Sequence, residues 1–165
     1  MRGINRRGQQ LMGMPFSMIF AIFLMIAFVI IAFIAVGYFL DIGRSSNVGM
    51  FYRELQDVVD EALNEQSSET SFEIDLPKEI KKICFANLSA QITNRGVDYE
   101  AIKNYDVYDA NVFLVPPEFA ENMQWKLIQH IDVEKITSKK NPYCVETDNK
   151  LIIKKGFYDK LVWIE

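Results

Sequence analysis

The chain has 165 residues, half of them hydrophobic, and a formal net charge of −4. This length suits one domain of ordinary size with an appendage. All 22 acidic residues follow residue 40, together with 15 of the 18 basic ones, so that part carries 15 − 22 = −7. Such a charge argues against nucleic-acid binding, which requires a basic surface.

A long apolar segment follows a short basic head at residues 1–13. Residues 14–40 contain no Asp, Glu, Lys or Arg. A helix needs about 20 apolar residues to cross the hydrocarbon core of a bilayer, whereas the apolar region of a signal peptide has about 7–15. The sequence therefore predicts a transmembrane helix over residues 14–40, and the lipid bilayer as its first partner.

The flanking charges predict the topology of this helix. Three arginines precede the segment, and Asp41 follows it directly. Positive charge is enriched on the cytoplasmic side of a membrane. We expect a cytoplasmic N-terminus in the cytoplasmic membrane and an extracytoplasmic domain at residues 50–165. The arginines are Arg2, Arg6 and Arg7.

Small and polar residues interrupt the apolar pattern at residues 41–49. They indicate either a hinge or a weak point in one long helix. Over residues 48–66, apolar side chains recur at steps of three and four and leave a charged opposite side, which predicts an amphipathic helix with one side for a core. The apolar positions are Phe51, Leu55, Val58, Val59, Ala62 and Leu63.

The remainder of the chain has strand patterns. Alternation and turn residues predict strands at 71–76, 80–85, 111–115, 125–134 and 157–164, with a hairpin at 143–153. Its turn is placed at Asp148 and Asn149, which tolerate positive φ. Several strands after one helix, without alternating helices, predict an α+β fold with a mainly antiparallel sheet.

Two cysteines, Cys84 and Cys144, lie in the predicted outer domain. In an extracytoplasmic compartment they are able to pair and close a long loop. The alternative is two separate buried thiols, which is a common state for cysteine.

Few residues have a type and spacing that indicate catalysis, metal binding or covalent modification. Asn87, in Asn87-Leu88-Ser89, fits the N-glycosylation acceptor pattern. His130, the one histidine, is predicted on the polar side of a strand and is interpreted as a surface residue. The spacing of His, Cys and carboxylates predicts no metal site, and the chain has no phosphate-binding loop. We therefore expect no cofactor and no enzymatic activity.

The N-terminal sequence resembles a known family. The motif Arg6-Arg7-Gly8-Gln9-Gln10 ahead of a long apolar helix is similar to the class III signal of archaeal type IV pilin-like proteins. In that family a peptidase cuts after the Gly. The apolar helix then packs into the core of a filament, and a mostly β domain lies on the outside. The resemblance implies cleavage between Gly8 and Gln9 and a pilin-like fold. The stretch from Leu76-Pro77 to Ile83-Cys84-Phe85-Ala86-Asn87 is also similar to uncharacterised archaeal membrane proteins of this layout.

One feature of the pilin pattern is missing. Pilins carry an acidic residue a few positions after the cut, where a cut after Gly8 places Gly13 and a cut after Gly13 places Met18. Neither residue supplies a carboxylate to pair with a neighbour's new amine. We therefore expect inefficient processing at Gly8, or none.

The sequence favours a single-pass, membrane-anchored, pilin-like protein that need not polymerise, and a minor component of a pilus-like surface assembly is the first role expected for it. The alternative is a membrane-anchored extracytoplasmic protein-binding module that does not polymerise. The protein partners expected are further copies of the chain or other membrane and surface proteins, with nucleic acid excluded. An anchored enzyme is the disfavoured third class.

Overall fold

The structure, a computed structural model, describes the backbone of residues 13–165, and the side chains of that range except 13–16, 40–42 and 44. The predicted cleavage site at Gly8 and Gln9 lies outside the described residues. The chain divides into two compact units, Met1–Ile42 and Gly43–Glu165.

One helix, α1, extends over Gly13–Asn64. Residues 41–49 are helical throughout, so the polar interruption does not end the helix. The segment contains no proline, and two helical glycines cost only about 1 kcal/mol each relative to alanine. Helix propagation from both sides outweighs that cost.

In the first unit, the described part of α1 is apolar and exposed. Ser17–Phe39 spans 23 residues with a mean hydropathy of 3.3, and none of this segment is buried. It is long and apolar enough to cross a membrane, by length and composition, a property that membrane spans share with some N-terminal signal sequences.

In the second unit, α1 buries one side in the core. The predicted amphipathic pattern is confirmed: four of the six predicted positions are buried, and Val58 and Leu63 are half-buried against the same core. Lys155 Nζ donates to Leu63 O at 2.7 Å near the end of the helix. The buried residues on this side of α1 are Val48, Phe51, Tyr52, Leu55, Val59 and Ala62.

Two antiparallel sheets follow the helix, as an α+β fold requires. A three-stranded sheet has the order β1-β6-β7, and a four-stranded sheet has the order β4-β3-β2-β5. Two short helices, α2 at Val97–Ile102 and α3 at Val133–Thr137, lie between strands. The strands are β1 Ser68–Glu73, β2 Lys82–Phe85, β3 Val112–Val115, β4 Trp125–Lys126, β5 Tyr143–Glu146, β6 Lys150–Lys155 and β7 Trp163–Ile164.

The four-stranded sheet is covered on both faces. In β2, Ile83 and Phe85 point into the main core with α1, whereas Cys84 points into a second cluster that contains Ile102 of α2. All four residues of β3 are buried. This two-sided burial explains why these strands have continuous apolar sequences.

The predicted hairpin at residues 143–153 is wrong. Its two strands exist, but β5 pairs with β2 in one sheet and β6 pairs with β1 and β7 in the other. Asp148 and Asn149 are not among the described non-glycine residues with positive φ, which are Glu121 and His130. The connection is a turn in which Asn149 N donates to Glu146 O at 3.0 Å.

The predicted strand at 125–134 is also wrong beyond its first two residues. After β4 the chain forms a loop and then α3, whose N-cap Asp132 accepts a hydrogen bond from Lys135 N at 2.9 Å. The strand predicted at 157–164 shortens to β7, and the one predicted at 71–76 begins and ends three residues earlier, as β1.

Candidate functional site

A disulfide joins β2 to β5, the edge strand beside it in the four-stranded sheet. Cys84 and Cys144 are direct partners in the β2–β5 register, and their sulfur atoms are 2.07 Å apart. The bond closes a loop with a sequence separation of 60 residues. It contacts the cluster that includes Phe113 and Ile102, so it lies in the apolar interior between the sheet and α2.

The predicted glycosylation acceptor, Asn87, lies in a loop held by a buried asparagine. Asn141 is 2% exposed, and its Nδ2 donates to Asn87 O at 2.8 Å and to Gln91 O at 3.2 Å. Its Oδ1 accepts from Asn87 N at 3.3 Å. Asn87 itself is half-buried, and its Oδ1 accepts from Ser89 N at 3.1 Å. The loop geometry at this motif therefore depends on Asn141.

The replacement Asn141→Asp is expected to lower the free energy of unfolding by about 1–3 kcal/mol at neutral pH. The new carboxylate has nearly the same shape but cannot donate to the carbonyl oxygens of Asn87 and Gln91, so both hydrogen bonds from residue 141 are lost. Denaturant unfolding of the detergent-solubilised chain measures the change. The exposed Asn104→Asp is the matched control, and an equal loss in both variants would contradict the role given to Asn141.

His130 is exposed at the surface, as predicted, with 45% of its side chain accessible. Its Nδ1 lies 2.9 Å from Asp60 Oδ1, which also accepts from Gln56 Nε2 at 2.9 Å. Gln56 Oε1 accepts from Gln129 N at 2.8 Å. These hydrogen bonds hold the loop before α3 against α1. Because both cysteine sulfurs are joined in the disulfide, neither is a free thiol that His130 could activate as a nucleophile.

The described residues contain no group of three or more His, Cys, Asp or Glu side chains able to hold a metal ion. An open pocket of about 470 Å³ lies between the end of β1 and the β2–β5 pair, within the usual size range of small-molecule sites, about 300–1,000 Å³. Its charged lining has both signs, and Lys82 is paired with Asp98 at 3.0 Å. Its one hydroxyl, that of Thr147, donates to Ile80 O at 3.0 Å.

A hydrogen-bonded turn exposes two aromatic side chains to solvent. We call residues 156–159 the aromatic turn. Asp159 N donates to Gly156 O at 3.0 Å, and Gly156 N donates back to Asp159 Oδ2 at 3.0 Å. Phe157 is 64% exposed and Tyr158 is 93% exposed, with their ring centroids 5.0 Å apart. A Cβ at Gly156 would lie 2.9 Å from Asp159 Oδ2, so a side chain at this position would displace the Asp159 carboxylate.

An ion pair links the aromatic turn to α3, and cation–π contacts lie beside it. Lys135 Nζ of α3 lies 2.7 Å from Asp159 Oδ2. This lysine, together with the Gly156 amide, lowers the pKa of Asp159 below its usual value. The same ammonium lies 4.6 Å from the ring centroid of Trp163, and Lys154 Nζ lies 5.5 Å from it. The turn is thus a preformed feature of the surface.

Sequence reasoning did not find the aromatic turn, because the apolar residues of 157–164 were interpreted as one strand. A glycine followed three residues later by an aspartate was the available signal, since both residue types favour turns.

Comparisons with known proteins give no family for this chain. No family model matches it, and neither a curated protein nor a solved structure is significantly similar to it.

Proposed function

We propose that the protein is a single-pass membrane protein whose C-terminal domain is extracytoplasmic and pilin-like, and that it acts as a minor component of a surface assembly. The observation that carries the proposal is the exposed apolar half of α1. Ser17–Phe39 has no apolar partner within the described part of the chain, and side chains such as Phe33 and Phe39 are 75% and 73% exposed.

An exposed segment of this kind is unfavourable in water and favourable in a bilayer. Burial of apolar surface contributes roughly 25 cal/mol per Å², and a helix satisfies its backbone hydrogen bonds internally, as hydrocarbon requires. At 23 residues, the segment also exceeds the apolar region of a signal peptide, about 7–15 residues. These properties favour a retained anchor.

Two further features support the proposed orientation. The arginines of the head precede the span, which favours a cytoplasmic N-terminus. The Cys84–Cys144 disulfide lies on the other side of the span in sequence, and disulfides persist in oxidising, extracytoplasmic compartments.

The pilin-like part of the proposal is supported by layout. One long helix has an exposed apolar half and a second half packed against antiparallel sheets, in the order that the N-terminal resemblance implies. One residue favours the alternative, an anchored protein-binding module. A cut after Gly8 places Gly13 where a filament-building pilin is expected to have a carboxylate.

The membrane proposal predicts that the full-length protein stays with membranes after alkaline carbonate extraction. It also predicts that externally added protease digests residues beyond 43 in intact cells and leaves the head protected. Deletion of residues 14–40 is the control and should release the protein in soluble form. Release of the intact chain by carbonate, or digestion only after the cells are opened, would contradict the proposal.

Purification from native membranes in mild detergent then separates the two functional classes. Filaments in electron micrographs, or co-purifying assembly ATPase and platform proteins, are the result expected for a pilus component. A monomer or dimer with an unrelated envelope partner would instead establish the anchored module.

A further inference from the structure

The loop between β2 and α2 leaves one asparagine amide nitrogen without a partner. The hydrogen bonds of Asn87 use its backbone N and O and its side-chain Oδ1. Among the described residues that are not exposed, every fully buried side-chain nitrogen or oxygen has a hydrogen-bond partner. The Nδ2 of the half-buried Asn87 has none, so it is open to solvent. We propose that Asn87 carries an N-linked glycan, an inference that rests on the proposed extracytoplasmic location of the domain.

The residues after Asn87 complete an accessible acceptor motif. Asn87 is the one asparagine in the chain that has a serine or threonine two positions later. That third residue defines the acceptor pattern, and Ser89 is exposed. Leu88, between them, packs against the second cluster of buried residues that contains Ile102. The motif is thus held on the domain by its middle residue, while its acceptor nitrogen and its serine remain accessible.

Other asparagine amides of the domain are used in the fold. Asn111 Nδ2 donates to Ile128 O at 2.8 Å, and Asn141 Nδ2 donates to Asn87 O at 2.8 Å. Both of these asparagines are buried, so a sugar on either nitrogen would break a buried hydrogen bond. A sugar on the Asn87 Nδ2 displaces no hydrogen bond, because the loop is attached to Asn141 through backbone atoms of Asn87.

An open polar pocket gives the first sugar a place beside Asn87. The pocket has a volume of about 300 Å³ and lies between the loop and α3, at the lower end of the size range of small-molecule sites, about 300–1,000 Å³. Amides, hydroxyls and carboxylates supply donors and acceptors for the hydroxyl groups of a sugar. The exposed polar residues of the lining are Gln91, Thr93, Glu134 and Ser138.

The modification is a group transfer from a lipid-linked saccharide phosphate, catalysed by a membrane glycosyltransferase. The Asn87 Nδ2 forms a bond to the anomeric carbon of the sugar, and the bond between that carbon and the phosphate oxygen breaks. The lipid phosphate leaves with the electron pair of the broken bond, and one amide proton passes to a base of the transferase. The product is a bulky, solubilising group on the surface of the domain.

Mass spectrometry of the full-length protein purified from native membranes tests the proposal. Once the disulfide is reduced, trypsin releases residues 83–95 by cleavage after Lys82 and Arg95. This peptide also contains Asn94, so fragmentation is needed to locate an added mass. We expect a saccharide on Asn87. A peptide of unmodified mass, or a saccharide on another of its residues, would overturn the proposal.

Variants of the third motif residue separate an N-linked glycan from other modifications. Ser89→Ala keeps the acceptor nitrogen but should abolish the glycan, whereas Ser89→Thr keeps the motif and should preserve it. Ser138→Ala, a change at another exposed serine beside the pocket, is the matched control and should leave the occupancy unchanged. A glycan that persists in Ser89→Ala, or equal losses in Ser89→Ala and Ser138→Ala, would show that the motif is not what directs the modification.

Protease added to intact cells separates this proposal from the proposed membrane topology. An unmodified Asn87 in a domain that protease digests from outside refutes the glycan and leaves the topology intact. An unmodified Asn87 in a domain that is protected until the cells are opened contradicts both. A glycan on Asn87 together with digestion from outside is the result that we expect.

Discussion

Replacement of both cysteines, Cys84→Ala with Cys144→Ala, is expected to lower the free energy of unfolding by about 4 kcal/mol. The disulfide closes a loop with a sequence separation of 60 residues. In the chain-entropy account, that constraint removes many conformations from the unfolded state, and longer loops give larger effects. The double replacement avoids an unpaired thiol in the apolar cluster.

Denaturant unfolding of the detergent-solubilised protein, with and without reductant, measures this effect. The wild-type protein should lose a similar amount of stability in reductant, whereas the double variant should not respond to it. Equal stability of wild type and variant in oxidising buffer would show that the bond contributes nothing. A response of the variant to reductant would show that the reagent acts elsewhere.

The sequence predicted the central elements of the domain because their signals are local. The amphipathic helix follows from spacing alone, and β3 was recognised because its four apolar residues end at Pro116 and Pro117. The strand patterns also predicted the antiparallel class. For the helix and for β3, the side chains of one segment decide its structure.

The errors occurred where the partner of a segment, rather than the segment, decides the structure. Alternation in residues 143–153 indicates two strands but not that β5 joins β2 and β6 joins β1. That choice depends on Leu151 and Ile153 being buried in the core with α1. Residues 125–134 alternate like a strand, yet the Asp132 cap begins a helix there and His130 has a φ of 66°.

The candidate sites were predictable to different degrees. The cysteines were recognised as a potential pair from the expected compartment, but their register across β2 and β5 was beyond sequence reasoning. The aromatic turn was not predicted, because its residues were assigned to a strand. The exposure of Tyr158 depends on the hydrogen bonds between Gly156 and Asp159.

Phe51→Ala is expected to lower the free energy of unfolding by about 3–5 kcal/mol. Phe51 is 1% exposed, and its ring lies 5.4 Å from that of Tyr52 and 5.9 Å from that of Phe72. It therefore links α1 to β1 at the centre of the main core. Truncation removes the buried ring and leaves a cavity whose walls relax only partly, so the loss exceeds the transfer free energy of the ring.

The matched control for this variant is Phe157→Ala, the same chemical change at a side chain that is 64% exposed. Its effect on stability should stay within about 0.5 kcal/mol. Equal losses for the two variants in denaturant unfolding would contradict the assignment of α1 to the core. Carbonate extraction of Phe51→Ala adds a second measurement. Since the apolar segment Ser17–Phe39 is unchanged, the membrane proposal predicts that the variant remains with membranes even where its domain unfolds. This result would separate the proposed anchoring role of α1 from its packing role.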